Sequence, residues 1–210
     1  MLKTPTITTK SFFEHVCKNS FINNERKSIL LKVSKAIINE LRKNGVVNIN
    51  FICTNNSRRS QFGQIWSYFI AEYYNLNINS FSGGIDVTAL HRNTIKTLQK
   101  AGFTFQLTDF SHQNPKYQIT FEGSKESIIG FSKLYYNPIN NEPFIAITTS
   151  NSANKNCHLI PKANYRFHLP FIDPKSSDRT KIQKETYLNT SKQIAAEINF
   201  IFFEVKKMLS

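Results

Sequence analysis

Two residues six positions apart carry the chemistry this chain advertises. Cys53 and Arg59 stand in the segment Phe51-Ile52-Cys53-Thr54-Asn55-Asn56-Ser57-Arg58-Arg59-Ser60-Gln61. A thiolate is a strong nucleophile, and a guanidinium is a planar fork that holds two oxygens of a tetrahedral oxyanion at once. The Ser60 hydroxyl is placed to donate a hydrogen bond to the sulfur. Nucleophile, cation and loop amides are thus assembled within the eight residues from Cys53 to Ser60. A cysteine alone at a strand end would ordinarily be a packing residue; the flanking elements supply the context that turns it into a candidate site.

Those elements can be read from period. Val46 to Ile52 is rich in β-branched residues and reads as a strand, with Cys53 at its carboxyl end. Phe62, Ile65, Trp66, Phe69, Ile70 and Tyr73 then mark an amphipathic helix. Ligand sites in open α/β sheets lie outside the carboxyl ends of strands. The start of a helix offers unpaired N–H groups and the positive end of its dipole, so a short strand-to-helix loop can wrap an anion and favour a thiolate.

The rest of the chain must fold around that loop. Leu30, Val33, Ile37 and Leu41 predict a helix over 24–43, stopped by Asn44-Gly45. A short second strand is expected to end at Phe81, with Gly83-Gly84 turning the chain. A third helix follows over 89–101, closed by Gly102. Residues 144–149 read as another buried strand, and 178–208 as a final helix with Ile194, Ile198, Ile201 and Val205 on one stripe. This alternation predicts an α/β fold of three layers, an open and mainly parallel four-stranded sheet with helices on both faces. Residues 1–45 would form a helical extension packed on the core of a 46–210 domain. Within that domain an insertion at about 110–141 is expected to hold a β-hairpin, from Tyr117–Phe121 and Ile128–Tyr136, joined near Gly123-Ser124.

Composition narrows the partners. The 27 Lys and Arg exceed the 14 Asp and Glu, for a formal charge of +13, which favours anions. The basic residues are scattered, so a compositional habit of the source accounts for them equally well. Cys17, Cys53 and Cys157 are too few for a disulfide framework. Residues 1–14 lack a signal-peptide apolar stretch, and no run approaches the roughly 18 apolar residues of a membrane span. The cytoplasm, where thiols stay reduced, is therefore the expected compartment. His15, His91, His112, His158 and His168 show no metal-ligand spacing, and no G-x-G-x-x-G fingerprint is present, so no metal and no organic cofactor is expected.

The Cys53–Ser60 segment resembles the Cys-x5-Arg-Ser phosphate loop shared by low-molecular-weight protein tyrosine phosphatases and thioredoxin-coupled arsenate reductases. The similarity covers about residues 46–107 and 142–208, in matching order. Ser82-Gly83-Gly84-Ile85 and Ala89-Leu90-His91-Arg92-Asn93-Thr94-Ile95 are similar to the arsenate reductase branch, and Phe171-Ile172-Asp173-Pro174 resembles the family's Asp-Pro loop. The resemblance implies that Cys53 is the nucleophile and that Arg59, with the loop residues Thr54, Asn55, Asn56, Ser57, Arg58 and Ser60, binds the oxyanion. It further implies that Asn56 braces the loop, that Ser60 assists the thiolate, and that Asp173 protonates the leaving oxygen and then activates water.

Several departures bear on the substrate. Asn55 replaces a loop glycine, which a left-handed conformation would tolerate. Arg58 brings a second cation beside the pocket. Ser150 to Cys157 is similar to the redox segment of the reductases, but Ser150 stands where a cysteine would, leaving Cys157 as a possible redox thiol or a packed small residue. Lys175-Ser176-Ser177 replaces the aromatics that flank the phosphatase pocket, and Tyr135 and Tyr136 could supply walls instead. The expected function is a cysteine-dependent phosphomonoester hydrolase acting on a phosphorylated small molecule or phosphoprotein. An arsenate reductase using an external thiol is the alternative, and a non-catalytic anion or nucleic-acid binding module ranks last.

Overall fold

The computed structural model describes residues 8–157 and 159–209, so residues 1–7 of the expected extension, and His158, fall outside it. Helices α1 (Thr9–Asn19) and α2 (Asn24–Asn44) lead into strand β1 (Val47–Cys53). Asn23 caps α2 by accepting the Arg26 N–H (2.8 Å), and Gly45 ends it in the left-handed region (φ 71°) that a glycine adopts without penalty. Helix α3 (Arg59–Tyr74) follows the loop, then strand β2 (Ile78–Gly84) and helix α4 (Arg92–Lys100). Strands β3 (Thr104–Asp109), β4 (Lys116–Thr120) and β5 (Ile128–Gly130) come next. The chain closes with β6 (Phe144–Thr148), α5 (Asn151–Asn156), β7 (Ala163–His168), a 3-10 turn at Pro174–Ser177 and α6 (Gln183–Leu209).

The main sheet has the order β2-β1-β6-β7 and every pairing in it is parallel. β1 is an interior strand, so Cys53 emerges at the middle of the sheet's carboxyl edge. Alternate residues of β1 and β6 feed two cores. Ile49, Phe51, Ile145 and Ile147 face the large one, built with α1, α2, α3, α4 and α6. Ile52, Phe144 and Ala146 face a smaller one closed by α5 and Tyr135. Trp66 of α3 lies at the heart of the large core, its ring stacked on Phe12 and its Nε1 donating to Ser191 Oγ (2.9 Å), which satisfies the indole's single polar atom.

Four boundaries differ from expectation. Gly83-Gly84 is not a turn: both residues belong to β2, paired with Ile52 and Cys53. Glycine is required there by close approach, since a Cβ on Gly83 would meet the Tyr135 Cα at 2.2 Å. The insertion is not a lone hairpin. Its two strands are β4 and β5, and β3 joins them to make a three-stranded antiparallel sheet. α4 begins at Arg92, capped by His91, and α6 begins at Gln183, after the Pro174 turn has spent residues 174–177. The fourth parallel strand, β7, alternates half-buried and exposed positions without a β-rich run, and no segment was assigned to it from sequence.

Candidate active site

Between β1 and α3 the main-chain carbonyls are taken up by hydrogen bonds one after another. Thr54 C=O accepts from the N–H groups of Ile85 (2.8 Å) and Asp86 (2.9 Å). Asn55 C=O accepts from the hydroxyls of Ser132 (2.9 Å) and Thr88 (3.2 Å), and Asn56 C=O from Gln61 Nε2 (3.1 Å). Ser57 C=O takes the His91 N–H (3.1 Å) and the Thr94 hydroxyl (3.3 Å), while Arg58 C=O takes the first helical N–H, from Phe62 (2.9 Å). The carbonyls of Thr54, Asn55 and Ser57 are thus held by distant segments and those of Asn56 and Arg58 by α3, so all five are engaged away from any guest in the loop. The amides of Arg59, Ser60 and Gln61 supply the free donors of a helix start. Such a concavity of amides is an anion cradle.

Cys53 sits at its base, 4% exposed, with Sγ 3.0 Å from Ser60 Oγ. Asn56 Nδ2 donates to the same Ser60 oxygen (2.9 Å), which leaves the hydroxyl proton free to point at sulfur. Asn56 is itself clamped, its Oδ1 accepting from Lys133 N–H (2.9 Å) and Gln61 Nε2 (3.2 Å). The left-handed residue of the loop is Asn56 (φ 45°), not Asn55 as expected from the missing glycine. Asparagine tolerates that region, and the three side-chain bonds over-determine it.

Arg59 opens α3 and turns its guanidinium to the far end of the sheet. Nη2 pairs with Asp173 Oδ2 (2.6 Å) and Nη1 donates to the Phe171 carbonyl (3.2 Å), while Nε is buried with no partner among the described residues. Residues 59 and 173 thus meet across the loop, brought together because β7 delivers the chain to the same carboxyl edge as β1. Asp173 also caps the 3-10 turn through Lys175 N–H (3.0 Å), and 38% of its side chain remains exposed.

Arg58 does something else. Its Nε donates to Tyr187 Oη (2.6 Å) and its Nη2 pairs with Asp178 (2.7 Å). Tyr187 Oη donates to Asp178 Oδ1 (2.7 Å) and lies 3.2 Å from His91 Nδ1, and Asn93 reaches the same carboxylate (3.4 Å). The expected second cation beside the pocket is therefore neutralised on the α6 side, and only the Arg58 main chain remains with the cradle. Burial raises the Asp178 carboxyl, but the Tyr187 hydroxyl and Arg58 outweigh it and hold it below the usual range. Burial pushes Tyr187 up to about 12, and burial with the Arg58 charge pushes His91 down. Tyr187 and Asp178 carried no sequence signal, because their partners lie 129 and 120 positions away.

The remaining candidates are placed as follows. Thr54 Oγ1 bonds Ser152 Oγ and lies 3.4 Å from Ser150 Oγ. Ser150 caps α5 by accepting the Ala153 N–H (3.2 Å), a task a cysteine would perform poorly. Cys157 closes the other end of that helix, roughly 9 Å away by helical rise. It is buried among Ile52, Phe144 and Ala146, and burial raises its thiol. Ser57 Oγ donates to the Ala89 carbonyl (2.7 Å). Tyr135 is bound through its main chain to Gly84 and packs on the smaller core, whereas Tyr136 is 58% exposed. His168 joins Thr148 and Asn151 through its two ring nitrogens and so reads as a strand-end brace.

Comparison with known proteins follows the same lines. No protein-family model matches the chain. An arsenate reductase of Staphylococcus epidermidis is 28% identical over 137 residues, 65% of this chain and 84% of the relative. An arsenate reductase of Bacillus subtilis is 26% identical over 136 residues, 65% of this chain and 80% of the relative. In fold, the chain superposes on a low-molecular-weight protein tyrosine phosphatase of Bacillus subtilis with TM-score 0.53 and 14% identity, covering 78% of this chain and 100% of the other. A low-molecular-weight phosphotyrosine phosphatase of Vibrio cholerae gives TM-score 0.53 and 12% identity, with 78% and 99% covered. Among the described residues no helix is long and apolar enough to cross a membrane.

Proposed function

We propose that this chain, similar in sequence to arsenate reductases and in fold to low-molecular-weight protein tyrosine phosphatases, is a cysteine-dependent phosphomonoester hydrolase. One observation carries the reading: a thiol sits 3.0 Å from a serine hydroxyl at the base of a loop whose five successive carbonyls are all taken up by hydrogen bonds. Cys53 sulfur attacks phosphorus in line, forming S–P as the P–O bond to the leaving group breaks. The amides of Asn55 to Ser60 and the Arg59 fork hold the three equatorial oxygens, where charge gathers. Asp173 gives its proton to the leaving oxygen, then takes one from the water that attacks phosphorus and releases the thiolate.

Entry of an oxyanion requires Arg59 to exchange its carboxylate partner for phosphoryl oxygens. That exchange also frees Asp173 to serve as the acid. The cycle needs neither metal nor organic cofactor, and it needs a compartment that keeps the thiol reduced, the cytoplasm. Lys175, Ser176 and Ser177 follow the acid where no aromatic stands, so the substrate is a phosphorylated small molecule or phosphoprotein rather than phosphotyrosine in particular.

The test is hydrolysis of an activated aryl phosphate by the purified protein. Cys53→Ser is expected to abolish turnover while retaining vanadate or phosphate binding; turnover surviving in that variant would sink the nucleophile assignment. The kinship to arsenate reductases favours a second reading, reduction of arsenate with an external thiol such as glutathione taking the place of the residue-150 cysteine. One equivalent of that thiol releases arsenite and is left in a mixed disulfide with Cys53, and a second frees the Cys53 thiol, so the two electrons come from two thiols that leave as a disulfide. Arsenate-dependent thiol consumption, run beside the aryl phosphate assay, separates the two.

A further inference from the structure

The insertion grips the back of the oxyanion loop at three successive residues. The Phe131 carbonyl accepts from Gln61 Nε2 (2.8 Å), Ser132 Oγ donates to the Asn55 carbonyl (2.9 Å), and Lys133 N–H donates to Asn56 Oδ1 (2.9 Å). The Lys133 carbonyl in turn accepts the Gly84 N–H (2.8 Å), fastening the segment to the end of β2. A neutral residue could make both main-chain bonds. Instead the position holds a lysine whose side chain is buried with it: Lys133 is 2% exposed and its Nζ has no hydrogen-bond partner among the described residues. Lysine is almost never fully buried unpaired, because losing hydration penalises the charge. The Phe131 ring, its centroid 4.8 Å from Nζ, offsets part of that penalty.

The Lys133 main chain meets Asn56 and Gly84, and its neighbours Phe131 and Ser132 meet Gln61 and Asn114, all neutral. Lys116 of β4 lies 5.6 Å from the same Phe131 ring and is already paired with Asp109 of β3 (2.8 Å). A lysine side chain reaches roughly 6 Å from its Cα. The Lys133 ammonium is thus held within roughly 12 Å of the cradle, where one unit charge alters anion affinity several-fold to about tenfold.

We propose that Lys133 is a positioning residue for oxyanion capture, a buried amine that takes up a proton from solvent as a dianion enters the loop and returns it when the anion leaves. The proposal rests on the oxyanion-site reading above. Burial pushes the Lys133 ammonium down to about 7, so near neutral pH the group is divided between its two forms. A dianion in the loop favours the charged form. By reciprocity the charged form binds the dianion more tightly, and affinity falls as pH rises past that point.

Calorimetry of sulfate binding tests this, because sulfate stays fully ionised throughout. The protein used is Cys53→Ser, which removes the thiol's own titration. The window is pH 7 to 9, above the titrations of His91 and His168, both pushed down by burial. Expected is an affinity that falls several-fold to about tenfold across the window, with proton uptake on binding near pH 7.5, read from two buffers of different ionisation enthalpy. Adding Lys133→Met should leave a flat profile at the weak level, and Lys133→Arg a flat profile at the tight level. An unchanged slope in either overturns the proposal. Should neither form fold, the absence of proton uptake in the Cys53→Ser parent overturns it equally. Failure of sulfate to bind the parent at any pH removes the oxyanion site itself, and is told apart because there is then no profile to compare.

Discussion

Arg58 and Arg59 are chain neighbours, and each pairs with an aspartate carried by the segment after β7. The Arg58–Asp178 contact is 2.7 Å and the Arg59–Asp173 contact 2.6 Å. Their surroundings differ. Asp178 receives Arg58, the Tyr187 hydroxyl and Asn93 together, with His91 at its edge, so both of its oxygens are satisfied. Arg59 keeps a buried Nε without a partner among the described residues, and its aspartate is more than a third exposed. The first pair fastens α6 to the loop; in the function proposed above, the second is a contact that an incoming anion replaces. Asp173 is held at both oxygens too, by Arg59 and the Lys175 N–H, so the two pairs differ in the number of partners on the carboxylate and in its exposure.

Substituting the arginines sharpens the contrast most. Arg59→Ala should lower kcat/KM for an aryl phosphate about a thousandfold, as removal of an oxyanion donor does, with Tm little changed. Arg58→Met should act chiefly on stability, costing about 2 kcal/mol because it strands a partly buried carboxylate, read as a fall in denaturation midpoint, with a far smaller loss of turnover per folded molecule. Equal kinetic losses in both would erase the distinction.

The aspartates give the next largest effect. Asp173→Asn should reduce kcat about a hundredfold while tightening sulfate binding, because Arg59 loses its competing partner. Asp178→Asn should lower Tm, with no gain in sulfate affinity. Tighter sulfate binding in Asp178→Asn instead would show that this pair too competes with the anion.

The smallest effect is the pH response of the strut. His91 is held below its ordinary value, so the unfolded chain binds its proton first and stability is lost as pH falls from about 6.5. Asp178 is also held below its ordinary value; its contribution is present above about pH 3.9 and is lost as pH falls through its folded value. His91→Asn, which keeps a capping side chain on α4, should remove the first loss, so that its Tm falls less than the parent's between pH 7 and pH 5.5. An identical acid profile in the two proteins would show that His91 does not carry it.

Much of the site was legible because it is local. Strand, loop and helix from Val47 to Tyr74 are one uninterrupted stretch, and the thiol, the hydroxyl of Ser60 and the start of α3 could be placed from spacing alone. The loop's left-handed residue was misplaced by one, at Asn55 rather than Asn56. Both are asparagines, and only the three bonds to the Asn56 side chain, from or to Ser60, Gln61 and Lys133, select between them. Gly83 and Gly84 read as a turn because a glycine pair usually is one; Gly83 is required by the Tyr135 main chain, from about 50 residues further on, and Gly84 by the main chain of Thr54, Asn56 and Asp86.

What the amino-acid order determines here is whatever a few consecutive residues can enforce: periodicity, caps, and a nucleophile delivered at a strand end ahead of a helix. Tertiary structure alone decided that Arg58 would be spent on α6 and Arg59 kept for the loop, and that a lysine from the insertion would be buried behind Asn56. Each of those outcomes depends on polar groups more than 70 positions apart satisfying one another in a dry interior. Burial makes such partners obligatory, and nothing in the spacing of either residue reveals which partner it will be.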